Sequence, residues 1–291
     1  MAVHVASGVD DAVERLAERP GSIVLAGGTD MMVEVNDGAL RPSPDADVVV
    51  VNRIAELRSW RHDPTAQTVT IGAGVTYTEM LDEPLAGMLP ALAEAARTVG
   101  SPQIRNAGTL GGNIGTCSPA GDGLPVLAAL GATVEVASVG GRRWVPVGEL
   151  MLGPKQHAVA ADELIVSVTM PVIDGWQGYA KVGVRNAMVI AIASTCVVLD
   201  TKQRTVAIAL GSVGPTVLRA TTAEAALAAA IDWDEQRVDP AALDDLASAT
   251  SAAAQPIDDH RASAAYRRHA VGVLARRLVT RGLVADAERA A

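Results

Sequence analysis

Two glycine-rich segments carry the residue types best suited to holding a ligand. The first is Leu25-Ala26-Gly27-Gly28-Thr29-Asp30, and the second runs from Asn106 through Gly108-Thr109-Leu110-Gly111-Gly112-Asn113 to Gly115. Consecutive glycines let a backbone approach a ligand closely. Successive N–H groups in such turns form a concavity for an anion, and a diphosphate is a common biological fit. Neither segment has the GxGxxG or GxxxxGK[ST] spacing of the familiar phosphate-binding loops. Plain tight turns are the other reading, and spacing alone favours it.

The second segment continues through Thr116, Cys117, Ser118, Asp122 and Gly123 to Pro125. Short polar side chains at Thr109, Asn113, Thr116, Ser118 and Asp122 suit a polyhydroxyl chain. They suit equally the satisfaction of the loop's own backbone. Cys117 has no Lys, Arg or His beside it in sequence to lower its pKa, so a small structural cysteine is expected. His157 follows Lys155 in a loop-like stretch and reads as a surface residue. Lys181 and Arg185 are four apart in a strand-like segment and would share a face. There they could meet an anion or an electron-rich ring, or form a solvated basic pair.

The elements that position these residues begin in α/β style. A helix is expected with Ser7 as its N-cap and Val9, Val13 and Leu16 on one face. Ile23–Leu25 and Val48–Val51 read as short buried strands, with a helical turn through Met31, Met32 and Val35 between them. Residues 101–125 have little periodicity and read as a long loop, anchored by the apolar run Val126–Leu130. Alternation predicts strands at 69–71, 134–136, 144–147 and 164–170, with Gly140-Gly141 as a hairpin turn. Strands are also expected near 179–184, along the apolar run 188–199 and at 206–210. Asp174-Gly175 reads as a domain boundary, and an alanine-rich helical tail follows Thr222.

The chain has 291 residues, which implies about two domains at roughly 100–200 residues each. It carries 24 Lys and Arg against 33 Asp and Glu, a net charge of -9 that disfavours nucleic acid as a partner. Aromatic residues make up 2%, too few for a base-stacking platform. Two distant cysteines cannot ligate an iron–sulfur cluster, and a reducing, cytoplasmic setting is expected. The longest uncharged apolar stretch, between Arg185 and Asp200, is shorter than the ~20 residues of a membrane-spanning helix. The acidic residues Asp10, Asp11 and Glu14 do not suit a signal peptide.

Taken in order, AGGTD at 26–30, TLGGN at 109–113 with SPAGD at 118–122, and Lys181-x-x-x-Arg185 resemble the FAD-binding medium subunit of the molybdenum hydroxylases. Known members include carbon monoxide dehydrogenase and bacterial xanthine dehydrogenase. The resemblance extends to the tail, through Gly211-Ser212-Val213-Gly214-Pro215, Arg219-Ala220, Pro256-Ile257-Asp258-Asp259 and Tyr266-Arg267-Arg268. The stretch Val99–Asn106 looks closest to xanthine dehydrogenase-type members.

The resemblance implies an α+β fold. A two-lobed FAD-binding domain of the vanillyl-alcohol-oxidase (PCMH) type would span 1–173, with lobes of about 1–55 and 56–173. A small domain of antiparallel sheet and helices would span 176–291. Ala26, Gly27, Gly28, Thr29 and Asp30 match the first diphosphate loop, and Thr109, Gly111, Gly112 and Asn113 the second. Ser118 and Asp122 match positions near the ribityl chain and diphosphate. Ile165 matches an aliphatic residue packed on the cofactor, and Lys181 a basic residue near the isoalloxazine edge. There its charge would stabilise the reduced flavin.

The implied role is an FAD-carrying electron-transfer subunit. Electrons would come from [2Fe-2S] clusters on a small partner subunit, after hydroxylation at a molybdenum cofactor on a large one, and leave to NAD+ or another acceptor. The implied assembly is a dimer of heterotrimers. Purine hydroxylation is the first expectation, with carbon monoxide or another N-heterocycle behind it. A free-standing FAD reductase or oxidase of the same fold, or a non-enzymatic nucleotide-binding subunit, are the other classes. Two departures bear on the acceptor: Met188-Val189-Ile190 stand where an acidic residue often follows the arginine, and flavin-flanking aromatics are scarce.

Overall fold

The computed structural model describes residues 2–41, 43 and 46–289, the side chains of 284–289 excepted. Long-range packing divides the chain into two units. The first comprises Met1–Met80, Ser101–Cys117 and Gly131–Pro171; the second comprises Leu81–Gly100, Ser118–Leu130 and Val172–Ala291. The two are interleaved in sequence, and residues 81–100 and 118–130 pack with the C-terminal part.

In the first unit, β1 (Val3–Val5), β2 (Ile23–Leu25) and β3 (Val48–Val50) form a parallel sheet in the order β1-β3-β2. Helix Val9–Glu18 buries Val9, Ala12, Val13 and Leu16, the spacing of one helical face. These pack with Val49, Val51, Leu57, Leu164 and Val166 in one apolar cluster. Gly8, not Ser7, occupies the N-cap position. Ser7 instead donates through its N–H and its hydroxyl to Asp11, at 2.7 and 2.9 Å.

The second sheet of this unit is antiparallel. It contains β4 (Trp60–Asp63), β5 (Thr68–Gly72), β6 (Thr133–Ser138) and β7 (Gly141–Pro146). A short hairpin follows, β8 (Met151–Gly153) with β9 (Gln156–His157), and β10 (Leu164–Pro171) enters the middle of the larger sheet, in the order β4-β5-β10-β6-β7. The expected hairpin forms one residue earlier than Gly140-Gly141: Val139-Gly140 make the turn, and Gly141 opens β7 opposite Ser138.

The long loop expected over 101–125 is largely helical. Helices span Pro102–Ala107 and Leu110–Thr116 in the first unit, and Gly123–Ala129 in the second. Each has at most seven residues, too short to show a 3.6-residue period. Ser101 Oγ accepts from Ile104 N–H at 3.3 Å, and Thr109 Oγ1 from Gly112 N–H at 3.0 Å, so both starts are capped. Glycines at 111, 112 and 115 cost about 1 kcal/mol each relative to alanine. Full burial of Leu110 and Ile114, at about 1.5–3 kcal/mol each, offsets that.

In the second unit, β11 (Gly175–Val182), β12 (Ala193–Asp200), β13 (Thr205–Gly211) and β14 (Leu218–Arg219) form an antiparallel sheet in that order. Its buried positions, including Val197, Leu199, Ile208 and Leu210, pack with helices Thr221–Ala230, Pro240–Ala253 and Ala264–Arg289. The strand expected across 188–199 begins only at Ala193, because 183–192 form a loop. Strand β11 ends at Val182, so Lys181 and Arg185 do not share a strand face. The Arg185 guanidinium folds back onto the carbonyls of Ala187 and Met188. Among the described residues no helix is long and apolar enough to cross a membrane.

Candidate functional site: a glycine-loop cradle and a buried lysine–aspartate pair

The first glycine segment leaves β2 and turns into helix Met31–Asn36. Gly28 holds a φ of +69°, a left-handed conformation that a β-branched residue resists. Among the described residues, no protein acceptor meets the N–H groups of Gly27, Gly28, Thr29 or Asp30. Four successive free N–H groups at a glycine turn make an anion-binding concavity.

The structure brings the second segment against the first. A Cβ at Gly27 would overlap the carbonyl of Ala107, so that glycine is needed where the two segments touch. Thr116 Oγ1 donates to Asp30 Oδ2 at 2.8 Å. The N–H groups opening helix Leu110–Thr116, however, are spent within the protein. Leu110 donates to Val75 O at 3.0 Å, Gly111 to Ala73 O at 2.8 Å, and Gly112 to Thr109 Oγ1. A Cβ on Gly111 would lie 2.8 Å from Ala73 O, so this glycine faces the fold.

The outer side of that helix is bare. Gly112 is exposed, and a Cβ on Gly115 would meet nothing nearer than Ile165 Cδ1 at 3.8 Å. Asn113 is half-buried, and its Oδ1 is buried without a hydrogen-bond partner. Ala26 and Ile165 are half-buried against the apolar cluster of the first unit. Cys117 is buried and donates its thiol to Gln156 O at 3.2 Å; burial pushes its pKa up, which makes it an inert structural thiol.

The other expected site residues lie in the second unit. Ser118 Oγ accepts from Ala120 N–H at 3.3 Å. Lys181 and Asp122 meet each other at 2.7 Å, with side chains only 7% and 9% exposed. The Lys181 ammonium also donates to Thr98 O at 2.9 Å and Val189 O at 3.1 Å, so all three of its hydrogens are engaged. Tyr179, which sequence reasoning placed only in a strand, donates its hydroxyl to Asp122 Oδ1 at 2.7 Å. Burial pushes the Asp122 carboxyl up, while Lys181 and Tyr179 pull it back. Burial and the neighbouring Asp122 also hold the Tyr179 phenol well above its usual range.

Comparison with known proteins decides the family. The FAD-binding domain in molybdopterin dehydrogenase matches residues 1–173, and the CO dehydrogenase flavoprotein C-terminal domain matches residues 179–281. The chain belongs to the FAD-binding medium subunits of the molybdenum hydroxylases. It is 30% identical to the glyceraldehyde dehydrogenase medium chain of Sulfolobus acidocaldarius, across 92% of this chain and 93% of that one. It is 28% identical to a putative xanthine dehydrogenase FAD-binding subunit of Escherichia coli, across 97% and 96%. The carbon monoxide dehydrogenase structure from Hydrogenophaga pseudoflava superimposes with a TM-score of 0.87 at 30% identity, covering 98% of this chain and 97% of that one.

A medium subunit of this family carries FAD, and the residues present fit that group. The free N–H groups of 27–30 suit a diphosphate, and the partnerless Asn113 Oδ1 suits a hydroxyl donor. The side-chain-free backbone at exposed Gly112 and half-buried Gly115 admits close approach.

Proposed function

We propose that the diphosphate of FAD rests on the N–H groups of Gly27, Gly28, Thr29 and Asp30, with Asn113 accepting a hydrogen bond from a hydroxyl. The observation that carries this is the row of four N–H groups without a protein acceptor. Gly112, Ile165 and Thr109 belong to the same site, the first two by contact and Thr109 by capping the helix that presents Asn113. FAD, when bound, supplies the redox chemistry. This chain supplies binding and orientation. Within the second unit, Lys181 and Asp122 brace the fold: one ammonium ties Val189 in the 183–192 loop to Thr98 and to Asp122 at the start of helix Gly123–Ala129.

In the whole enzyme, electrons reach this subunit from [2Fe-2S] clusters on a small subunit, after hydroxylation at a molybdenum cofactor on a large one. They leave to NAD+ or another acceptor. The two cysteines support this division, because a [2Fe-2S] cluster takes four ligands. Xanthine is the substrate proposed first, on the likeness of 99–106. The test is affinity purification of the tagged chain from cells making its natural complement, followed by metal analysis and anaerobic titration. Iron and molybdenum should co-purify, xanthine should bleach the flavin band, and NAD+ should restore it. A chain purified without metal-bearing partners would overturn the assembly. Partners present but no bleaching by xanthine would overturn the substrate, and no recovery with NAD+ would overturn that acceptor.

A further inference from the structure

The β8–β9 hairpin is bonded to residues that follow each glycine segment. Gln156 O accepts from the Cys117 thiol at 3.2 Å, and Lys155 N–H donates to Cys117 O at 3.1 Å. The Lys155 ammonium pairs with Glu34, on the helix that follows the first glycine turn. Thr116 and Asp30 close the circuit at 2.8 Å. Three segments of the first unit are thereby locked into one ring of contacts.

The elements of that ring carry two buried side-chain atoms with no hydrogen-bond partner, Asn113 Oδ1 and His157 Nδ1. Asn113 sits one helical turn before Cys117, and His157 directly follows Gln156. Natural proteins rarely leave buried polar atoms unmatched, and each that remains calls for an explanation such as a bound water, ion or ligand. Asn113 Oδ1 can only accept, whereas an imidazole Nδ1 can carry a proton and donate. Together they offer one acceptor and one donor, as a molecule bearing both hydroxyls and phosphate oxygens requires.

We propose that His157 is a further FAD-binding residue, donating through Nδ1–H to an oxygen of the bound dinucleotide, and that the β8–β9 hairpin is a third wall of the cradle. This rests on the reading that the cofactor's diphosphate lies on Gly27–Asp30. The hairpin's bonds to Cys117 and Glu34 fix where His157 stands relative to both glycine turns.

The test measures the rate of FAD release from the purified holo-complex after dilution, by the rise in free-flavin fluorescence. His157→Leu should release FAD at least about tenfold faster, the lower end for one hydrogen bond to a charged group. His157→Asn, whose amide occupies the place of Nδ1, should stay within about twofold of the parent. His157→Gln, whose amide reaches toward Nε2, should behave like His157→Leu. This pair keeps the test sharp if the leucine variant misfolds. Parent-like release from His157→Leu or His157→Gln overturns the inference. A Gly28→Val chain measured alongside separates the two levels: if it too holds FAD like the parent, the glycine-loop reading itself fails; if it loses FAD, only the assignment of His157 fails.

Discussion

Lys181 engages three acceptors with one ammonium, and that makes it more important to the fold than a lone charge would be. Removing it leaves the Asp122 carboxylate buried, with Tyr179 as its remaining donor. Stranding one member of a buried pair costs about 3–5 kcal/mol. Lys181→Met should therefore destabilise the protein by about that much in denaturant unfolding, and adding Asp122→Asn should recover most of the loss. A single variant of parental stability would show that the pair is solvated. The glycines differ among themselves in the same residue-level way. Gly27 and Gly111 face backbone of their own unit, while a Cβ at Gly115 would meet only Ile165 Cδ1, at an ordinary contact distance of 3.8 Å. Gly115→Ala should thus leave the fold intact and raise the stability of the cofactor-free chain by up to about 1 kcal/mol. Unfolding with and without FAD checks this: the gain should be present without the cofactor and shrink or reverse with it. Sequence reading found every one of these glycines but could not separate those that serve packing from those left bare, because that depends on which backbone lies opposite.

Helices explain the largest gap between sequence and structure. The strands at 68–72, 133–138 and 164–171 were legible because apolar and polar residues alternate along them. The two short helices at 102–116 were not, because glycine and proline signal turns and six or seven residues span fewer than two turns, too few for an apolar repeat to show. Their real markers were the caps Ser101 and Thr109, each three residues before the N–H it meets. Thr109→Ala should cost about 1 kcal/mol of stability, and, because this helix presents Asn113, should also weaken FAD retention. Equal retention would separate the cap from the site. In the second unit, the loop before the last helix is held by Asp259. The N–H groups of Arg261 and Ala262 and the Arg267 guanidinium outweigh desolvation and hold its carboxyl at about 2. Its folded pKa lies below its unfolded value of 3.8. The stability it contributes is therefore full above about pH 4 and lost as pH falls toward 2. Asp259→Asn should lower the melting temperature at neutral pH, and the difference should vanish as the pH approaches 2. A difference independent of pH would point to packing instead.

At the scale of the whole molecule, local signals identified the parts and only their order identified the family. No single motif was distinctive, since Gly pairs and short polar residues occur in many turns. The sequence AGGTD, TLGGN, SPAGD and Lys181-x-x-x-Arg185 in succession was distinctive. What order could not reveal was the pairing of Lys181 with Asp122, or the interleaved packing that groups 81–100 and 118–130 with the C-terminal residues. Both depend on contacts between residues about 60 or more positions apart, which periodicity does not encode. The whole site turns on the proposal that the four free N–H groups at 27–30 hold the diphosphate of FAD. Its most direct measurement is the flavin content of the purified chain and of Gly28→Val, with circular dichroism to show that both are folded. The parent chain should carry about one FAD, released intact by acid, and the Gly28→Val chain should be folded but colourless. A parent chain that takes up no FAD, or a Gly28→Val chain with its full flavin, would contradict it.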